Sequence, residues 1–583
     1  MKQFHFIMQY IKKHKYHYIA GIITLFIVDL LNLVIPKLTG TITDGLQSRI
    51  MSADDVLFNV IKIFLIGLAL AIGRFLWRYF LFGSARKIEF QLRNDLFSHL
   101  ETLSVEYYNK NKTGDLMTHF TSDLNAVRMS IGPAIITAFD ASVMTIMVVV
   151  QMILYVDLKL TLLAVIPMTL ITIGELYYGK LAEKRFVKKQ EAFSHLTDQV
   201  QESISGIRVI KSFVQERQQL KAFAKSNQIY MEKNLQLVKL MAIVMPLLDV
   251  IIGFSSLITL VYGGYLTIVG EITLGRFIAF NQYIAMLIWP MIAAGESITL
   301  FSQGSASIKR IMNIFGSKAE VYDDENVSDM NTIQGEIEFN HMTFFHQDQS
   351  EPNLFDITLK VPKGSTLAIV GKTGSGKSSI VNLLLRLYNT KPGMLFIDGI
   401  DINQIPLKTL RENISYVPQD NFLFSDTLRN NIAFGACDNN IDSIHQAAKA
   451  AVIHDNIIDF PYGYETVVGE RGVTLSGGQK QRSSIARAIL KDAPILILDD
   501  SLSAVDTDTE EKILSNLNKN RKDKTTIIIA HRISTIQNAD SILVLEEGKA
   551  VEYGAHKELL EKNGLYKAMY EKQQLEKQLE GEM

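Results

Sequence analysis

The chain has 583 residues, 48% of them hydrophobic, and a formal net charge of −2. That length exceeds one hydrophobic core and allows three or four units of roughly 150 residues each. A charge so near zero excludes a dominant nucleic-acid surface, and the single cysteine, Cys437, excludes an internal disulfide or a cysteine metal cluster.

Residues 1–17 set Phe4, Phe6, Ile7, Tyr10 and Ile11 among lysines and histidines. Two readings stand: a short interfacial helix on an anionic leaflet, or the basic flank of a first membrane span. The apolar stretch 18–38 follows Lys12, Lys13 and Lys15 and lacks a small-residue cleavage site. It reads as a retained membrane helix, not a removed signal.

Six spans are expected, at about 18–38, 58–82, 133–156, 159–180, 241–265 and 274–300. Two long connections separate the second span from the third and the fourth from the fifth. Both are rich in Lys and Arg: Arg86, Lys87, Arg93, Lys110, Lys112 and Arg128 in one, Lys184, Arg185, Lys188, Lys189, Arg208, Lys211 and Arg217 in the other. The short 41–56 connection instead holds Asp44, Asp54 and Asp55 against Arg49. The positive-inside rule then puts the N-terminus, both long connections and the C-terminal half in the cytoplasm.

The long connections are polar and helical in pattern, as if the membrane helices continued far beyond the lipid. Within them, 105–109 and 210–214 suit either docking on another domain or ordinary helix–helix core. The spans contain Asp29, Asn32, Arg74, Asp140, Gln151, Glu175, Asp249 and Glu296, groups that face protein or a water-filled cavity when placed in lipid. An excess of acids there suits a cationic substrate, and acid–base pairing within the bundle is the alternative. Prolines 36, 133, 167, 246 and 290 are expected to kink or end helices.

The acidic stretch 316–335, with Glu320, Asp323, Asp324, Glu325 and Asp329, reads as a linker. It divides a helical membrane domain, 1–315, from a soluble domain, 336–583, where short β-rich runs alternate with helices as in an α/β fold. In that domain Gly371-Lys372-Thr373-Gly374-Ser375-Gly376-Lys377-Ser378 fits G-x-x-x-x-G-K-[ST]. The glycines let successive N–H groups point at phosphate oxygens. Lys377 would reach the β- and γ-phosphates and the Ser378 hydroxyl would ligate Mg²⁺. A strand over 366–370 and a helix over 379–387, beginning at Ser379, are expected to flank the loop, the helix N-terminus adding positive dipole.

The apolar run 494–499 ends in Asp499, where a nucleotide hydrolase needs an acid for its magnesium shell. Asp500 follows, within reach of an attacking water. Gln419 offers an amide to Mg²⁺ or water, and His531 follows a strand over 526–530, at the edge where open α/β sheets bind ligands. Leu475-Ser476-Gly477-Gly478-Gln479 precedes a helix over 480–490 and presents a hydroxyl and backbone N–H groups at its start, a second anion site. Two phosphate binders in one domain suggest a nucleotide held between two copies of it.

Together these motifs resemble, over nearly the whole chain, an ATP-binding cassette exporter half-transporter of the multidrug type. The ordered set is the phosphate loop 371–378, Gln419, the signature 475–479, Asp499, the 503–506 loop and His531. The stretch 466–472 is similar to the segment by which such exporters touch their membrane domain, and 107–115 and 207–213 resemble their two coupling segments.

The resemblance implies a dimer with two ATP sites, each joining one chain's phosphate loop to the other's signature, with ATP and Mg²⁺ as cofactors. It implies ATP-driven export of an amphipathic substrate across the cell membrane. Two positions depart from the family pattern. His346 stands where a tyrosine usually stacks on adenine, with Phe345 nearby. Asp500 stands where a glutamate usually serves as the base. An aspartate there with an intact signature resembles one subunit of an asymmetric heterodimer whose own site hydrolyses slowly; a backbone shift that restores the reach would leave an ordinary homodimer. A lipid or peptide exporter and an ATP-binding regulatory subunit with little turnover are the rival functions.

Overall fold

The structure, a computed structural model, describes residues 2–324, 327, 328, 330, 332–346, 351–436, 440–469 and 475–581. Cys437, Glu325, Asp329 and residues 470–472 of the 466–472 stretch lie outside the described residues. The chain divides into two compact units, one made of residues 1–102 and 111–317, the other of 103–110 and 318–583.

The first unit is helical throughout. A short helix α1 (Lys2–Lys13) precedes α2 (Lys15–Gln47) and α3 (Ala53–Thr102). Beyond α4 (Val105–Lys110), which belongs to the other unit, come α5 (Thr113–Tyr155), α6 (Leu158–Ser205), the short α7 (Ile207–Ser212), α8 (Glu216–Val269) and α9 (Leu274–Gly316). Among the described residues, α2, α3, α5, α6, α8 and α9 are long and apolar enough to cross a membrane. The six cover the expected spans, save Val156 at the end of the third, and run well past them; α3, with 50 residues, is about 75 Å long at 1.5 Å per residue, against about 30 Å of hydrocarbon. Polar helical periodicity in the long connections therefore continues the same helices.

Pro36, Pro167, Pro246 and Pro290 lie inside helices, whereas Pro133 restarts α5 after a break at Gly132. π-Helical turns interrupt α5 at His119–Asp123 and Asp140–Met144 and α8 at Thr259–Gly263.

Without a hydrophobic drive between lipid-solvated helices, close backbone approach matters. The tightest approach joins α2 and α9. A Cβ on Gly275 would lie 2.0 Å from the Gly40 carbonyl oxygen. Asp44 fixes the pair by accepting from the Gly275 N–H at 2.6 Å and the Thr273 hydroxyl at 2.6 Å. The acid read as part of the short 41–56 connection is thus a helix clamp. In the same unit Asp29 is buried with one carboxylate oxygen unpartnered, and Asp140 accepts from the Trp289 indole N–H at 3.2 Å.

The second unit holds two sheets. One is four-stranded in the order β2-β1-β4-β5, from β1 (Ile337–Phe344), β2 (Leu354–Val361), β4 (Leu395–Ile397) and β5 (Ile400–Asp401). The other is six-stranded in the order β10-β9-β3-β8-β7-β6. It comprises β3 (Thr366–Gly371), β6 (Ile414–Val417), β7 (Ile495–Asp499), β8 (Thr525–Ile529), β9 (Ser541–Glu546) and an antiparallel edge strand β10 (Lys549–Gly554). The stretches 367–370 of β3, 495–498 of β7 and 527–529 of β8 are continuously apolar because the parallel sheet is covered on both faces.

The expected helix over 379–387 is corrected. The helix α10 spans Lys377–Leu384 and stops where Arg386 takes a left-handed backbone, φ 46°. Part of the stretch read as linker is fastened down: Asp323 accepts from Arg386 Nη1 at 3.3 Å and from the Leu407 N–H at 2.9 Å.

The clamp yields a stability test. Gly275→Leu should lower the thermal midpoint of the purified chain, overpacking costing about 1–3 kcal/mol or more. Gly67→Leu, where a Cβ meets nothing within 4 Å, should leave the midpoint unchanged. Equal midpoints for both variants would remove the α2–α9 approach from the account.

Candidate functional site

Strand register gathers the candidate residues. Ile369 of β3 pairs with Ile529 of β8, and Ile529 pairs with Asp499 of β7. Val417 of β6 pairs with Leu498. These strands run parallel and end in one row, so the loops that follow them share an edge of the sheet. Gly371 begins the phosphate loop there, Gln419 comes two residues past β6, Asp500 one past β7 and His531 two past β8.

The result is a cleft of about 260 Å³ whose wall includes Thr373, Gly374, Gly376, Lys377, Ser378, Ser379, Gln419, Asp499, Asp500 and His531. Gly374 and Gly376 take positive φ of 83° and 98°, values that favour glycine. A Cβ on Gly376 would meet the Asn353 carbonyl at 2.8 Å, while at Gly374 it would meet nothing within 4 Å. Gly371 is held as close: a Cβ there would lie 2.3 Å from the Leu545 carbonyl.

Lys377 turns its ammonium back into the loop, donating to the Gly371 carbonyl at 2.9 Å and the Lys372 carbonyl at 2.8 Å. It is buried, and burial pushes its pKa below the ordinary lysine value, against the opposing charges of Asp499 and Asp500. Asp499 is buried too, and burial pushes its carboxyl above the usual range. The Ser378 hydroxyl donates to it, and Lys377 and His531 pull its pKa the other way.

This donor set fits a nucleotide polyphosphate and a hard cation. The loop offers N–H groups and an ammonium; a hydroxyl and a carboxylate meet where a magnesium ion needs oxygen ligands. Ser375 Oγ, buried and without a partner, is a further polar atom facing inward in that loop.

Other expected residues differ in placement. The Lys372 side chain leaves the cleft and pairs with Glu546 at 3.2 Å. His346 lies past β1, its ring edge-on to Phe344 at 5.0 Å and to Tyr388 at 5.1 Å. Asp500 takes a left-handed backbone, φ 45°, with its N–H donating to the Ile529 carbonyl at 2.9 Å.

The signature stretch 475–479 does not line the cleft. It opens helix α11 (Gly477–Lys491), three residues earlier than expected. Ser476 and Gln479 cap that helix reciprocally: Ser476 Oγ accepts from the Gln479 N–H at 3.3 Å and Gln479 Oε1 from the Ser476 N–H at 2.9 Å. Leu475 is buried below. Gly478 packs on the 503–506 loop, where a Cβ would lie 2.9 Å from the Ala504 carbonyl.

Two residues escaped sequence reasoning. Asn353 lines the cleft and accepts from the His346 N–H at 3.1 Å. Tyr388 accepts from Asn109 Nδ2 of α4 at 3.1 Å while its ring meets His346. Of the two readings of 105–109, docking is the one observed, since α4 clusters with the cassette. The other segment is not helix core: Phe213 is 70% exposed and Val214 78%.

Comparison with known families decides the assignment. Residues 18–291 match the model of the ABC transporter transmembrane region, and residues 354–503 match that of the ABC transporter. The chain is 40% identical over 566 residues, 97% of each chain, to the probable multidrug resistance ABC transporter ATP-binding/permease protein YheI of Bacillus subtilis. The chain belongs to the ABC transporter family. It is therefore a multi-pass, ATP-binding, ATPase-coupled membrane transporter of the exporter architecture. The ABC transporter MdlA of Escherichia coli, a multidrug resistance-like ATP-binding protein, is 35% identical over 100% of this chain and 98% of its own. The ATP-dependent lipid A-core flippase of Syntrophus aciditrophicus is 36% identical over 84% of this chain and 81% of its own. A solved bacterial Atm1-family ABC exporter with ATP bound superposes with a TM-score of 0.80 at 27% identity, over 96% of this chain and 98% of that one.

Lys377→Ala removes the one ammonium inside the loop. ATP affinity of this chain's own site should fall about 10- to 100-fold, the worth of charge-assisted hydrogen bonds. Labelled-nucleotide titration of the purified protein checks this; wild-type affinity would show that the loop is not the nucleotide seat.

Proposed function

We propose that this chain is one half of a heterodimeric exporter of amphipathic, multidrug-type substrates, with its N-terminus and cassette in the cytoplasm. The carrying observation is the Asp499–Asp500 pair at the end of β7. The first carboxylate meets the Ser378 hydroxyl and the second lies on the cleft wall with Gln419 and His531. The basic long connections support the orientation, and the names borne by YheI and MdlA support the substrate class.

Bound MgATP supplies the phosphoanhydride bond whose hydrolysis resets the transporter. Lys377 and the loop N–H groups hold the β- and γ-phosphates, and Ser378, Gln419 and Asp499 hold the cation. His346 stacks on the base, its imidazole replacing the usual phenol ring. His531 fixes the γ-phosphate end and Asp500 orients the water.

Aspartate is one methylene shorter than glutamate, so its carboxylate falls about an ångström short of that water, an error that can cost on the order of 10²-fold in rate. This chain's own site is then slow. Ser476, Gly477 and Gly478 lie off that cleft and complete the partner's site, which is fast where the partner carries glutamate. Segments 105–110 and 207–213 carry cassette closure to the helices, the first through Asn109 and Tyr388. The flippase relative supports a second reading, lipid as the amphipathic cargo.

ATP turnover of the purified pair tests the asymmetry. Asp500→Ala should change steady-state turnover little, and Ser476→Trp should nearly abolish it. Asp500→Glu should raise hydrolysis at this chain's site. If Asp500→Ala proves as damaging as Ser476→Trp, the two sites are equivalent and the homodimer replaces this reading.

A further inference from the structure

A basic cluster lies where α1, α2 and α3 meet, in the helical unit. Gly21 of α2 lets α3 approach so closely that a Cβ there would lie 2.6 Å from Leu81 Cγ. One turn before Gly21, His17 sits edge-on to Phe80 of α3 at 6.1 Å between ring centroids. His14, between α1 and α2, packs edge-on to His17 at 6.4 Å. Lys87, two turns beyond Phe80, shares that face of α3.

α1 is fastened against the bundle. Tyr10 donates to Asp95 at 2.9 Å, Phe6 packs on Phe315, and Gln3 accepts from Ser305 at 2.8 Å. Lys13, at the end of α1, is thereby delivered to the same corner, its ammonium 5.6 Å from the Tyr10 ring centre.

The cluster lacks counter-charge. Burial first, then Lys87, His17 and Lys13, push the His14 pKa below the ordinary histidine value. The nearby acids are committed: Asp95 to Tyr10, and Glu89 to Arg86, Arg93 and Arg128 at 3.2, 2.7 and 3.4 Å. Among the described residues, no carboxylate pairs with Lys13, His14, His17 or Lys87. Both lysines are exposed, and on α2 Ile19 and Ile23 follow as exposed apolar residues at the start of the span. Two lysines and two imidazoles beside exposed apolar surface match a headgroup phosphate better than a soluble ion, which would gain nothing from the apolar flank.

We propose that Lys13, His14, His17 and Lys87 form a seat for the phosphodiester headgroup of an anionic phospholipid. The bound lipid would tie α1 to the first two spans. This seat is independent of the asymmetric ATP sites and of the export cargo.

The test is native mass spectrometry of the full-length protein, with any co-purifying half, titrated with phosphatidylglycerol, phosphatidylcholine or inorganic phosphate. Phosphatidylglycerol should bind tighter than phosphatidylcholine. Lys13→Gln and Lys87→Gln should each weaken it about fivefold, and the pair about 25-fold. Lys13→Arg and Lys87→Arg should restore it, and Lys62→Gln, a charge lost at the far end of α3, should leave it unchanged. An unchanged affinity in the double Gln variant overturns the seat. An equal loss in Lys62→Gln reduces it to general attraction. Displacement of phosphatidylglycerol by equimolar inorganic phosphate assigns it to a free anion, which also overturns the proposal.

Discussion

A buried ammonium bonded only to backbone carbonyls is the interaction on which the cassette depends. Lys377 could face water, yet it folds back onto Gly371 and Lys372. The arrangement costs desolvation and is completed by an anion brought to the loop. Everything near it serves that geometry. Glycines allow the loop to curl around the ammonium, and the β3–β8–β7 register brings Asp499 and the Ser378 hydroxyl alongside.

The same register sets the cleft apart from the signature stretch. The loops after β3, β6, β7 and β8 contribute to one cleft, whereas the signature opens α11 elsewhere. Its Ser476 is committed to a reciprocal cap, and its glycines pack on the loop after β7. A helix start exposed in this way presents N–H groups outward. Asp500 lies on the cleft wall, its backbone N–H held by the Ile529 carbonyl.

Much of this was legible in the sequence because local signals carry it. Apolar length marked the six spans, and glycine spacing with flanking apolar runs marked the loop. Strand-terminal polar residues marked Asp499 and His531. What was not legible depends on contacts distant in the chain. Nothing local to Arg386 says that it leaves the helix to bind Asp323 and the Ile405 carbonyl. Tyr388 looks like an ordinary aromatic until Asn109, 279 residues away, reaches its hydroxyl. Asp44 reads as a surface acid until the Gly40–Gly275 approach turns it into a clamp. The polar continuation of the membrane helices was visible as periodicity; their extent was not.

The central claim is that ATP persists at this chain's phosphate loop while the partner's loop turns it over. The direct measurement is photo-crosslinking of the purified complex during steady-state turnover, using azido-ATP labelled at either the α- or the γ-phosphate. The α-label reports any bound nucleotide and the γ-label only unhydrolysed ATP. The account predicts a γ-to-α ratio near one on this chain and a much lower ratio on a second, different polypeptide. Equal ratios on the two cassettes, or a complex built from this chain alone, would contradict it.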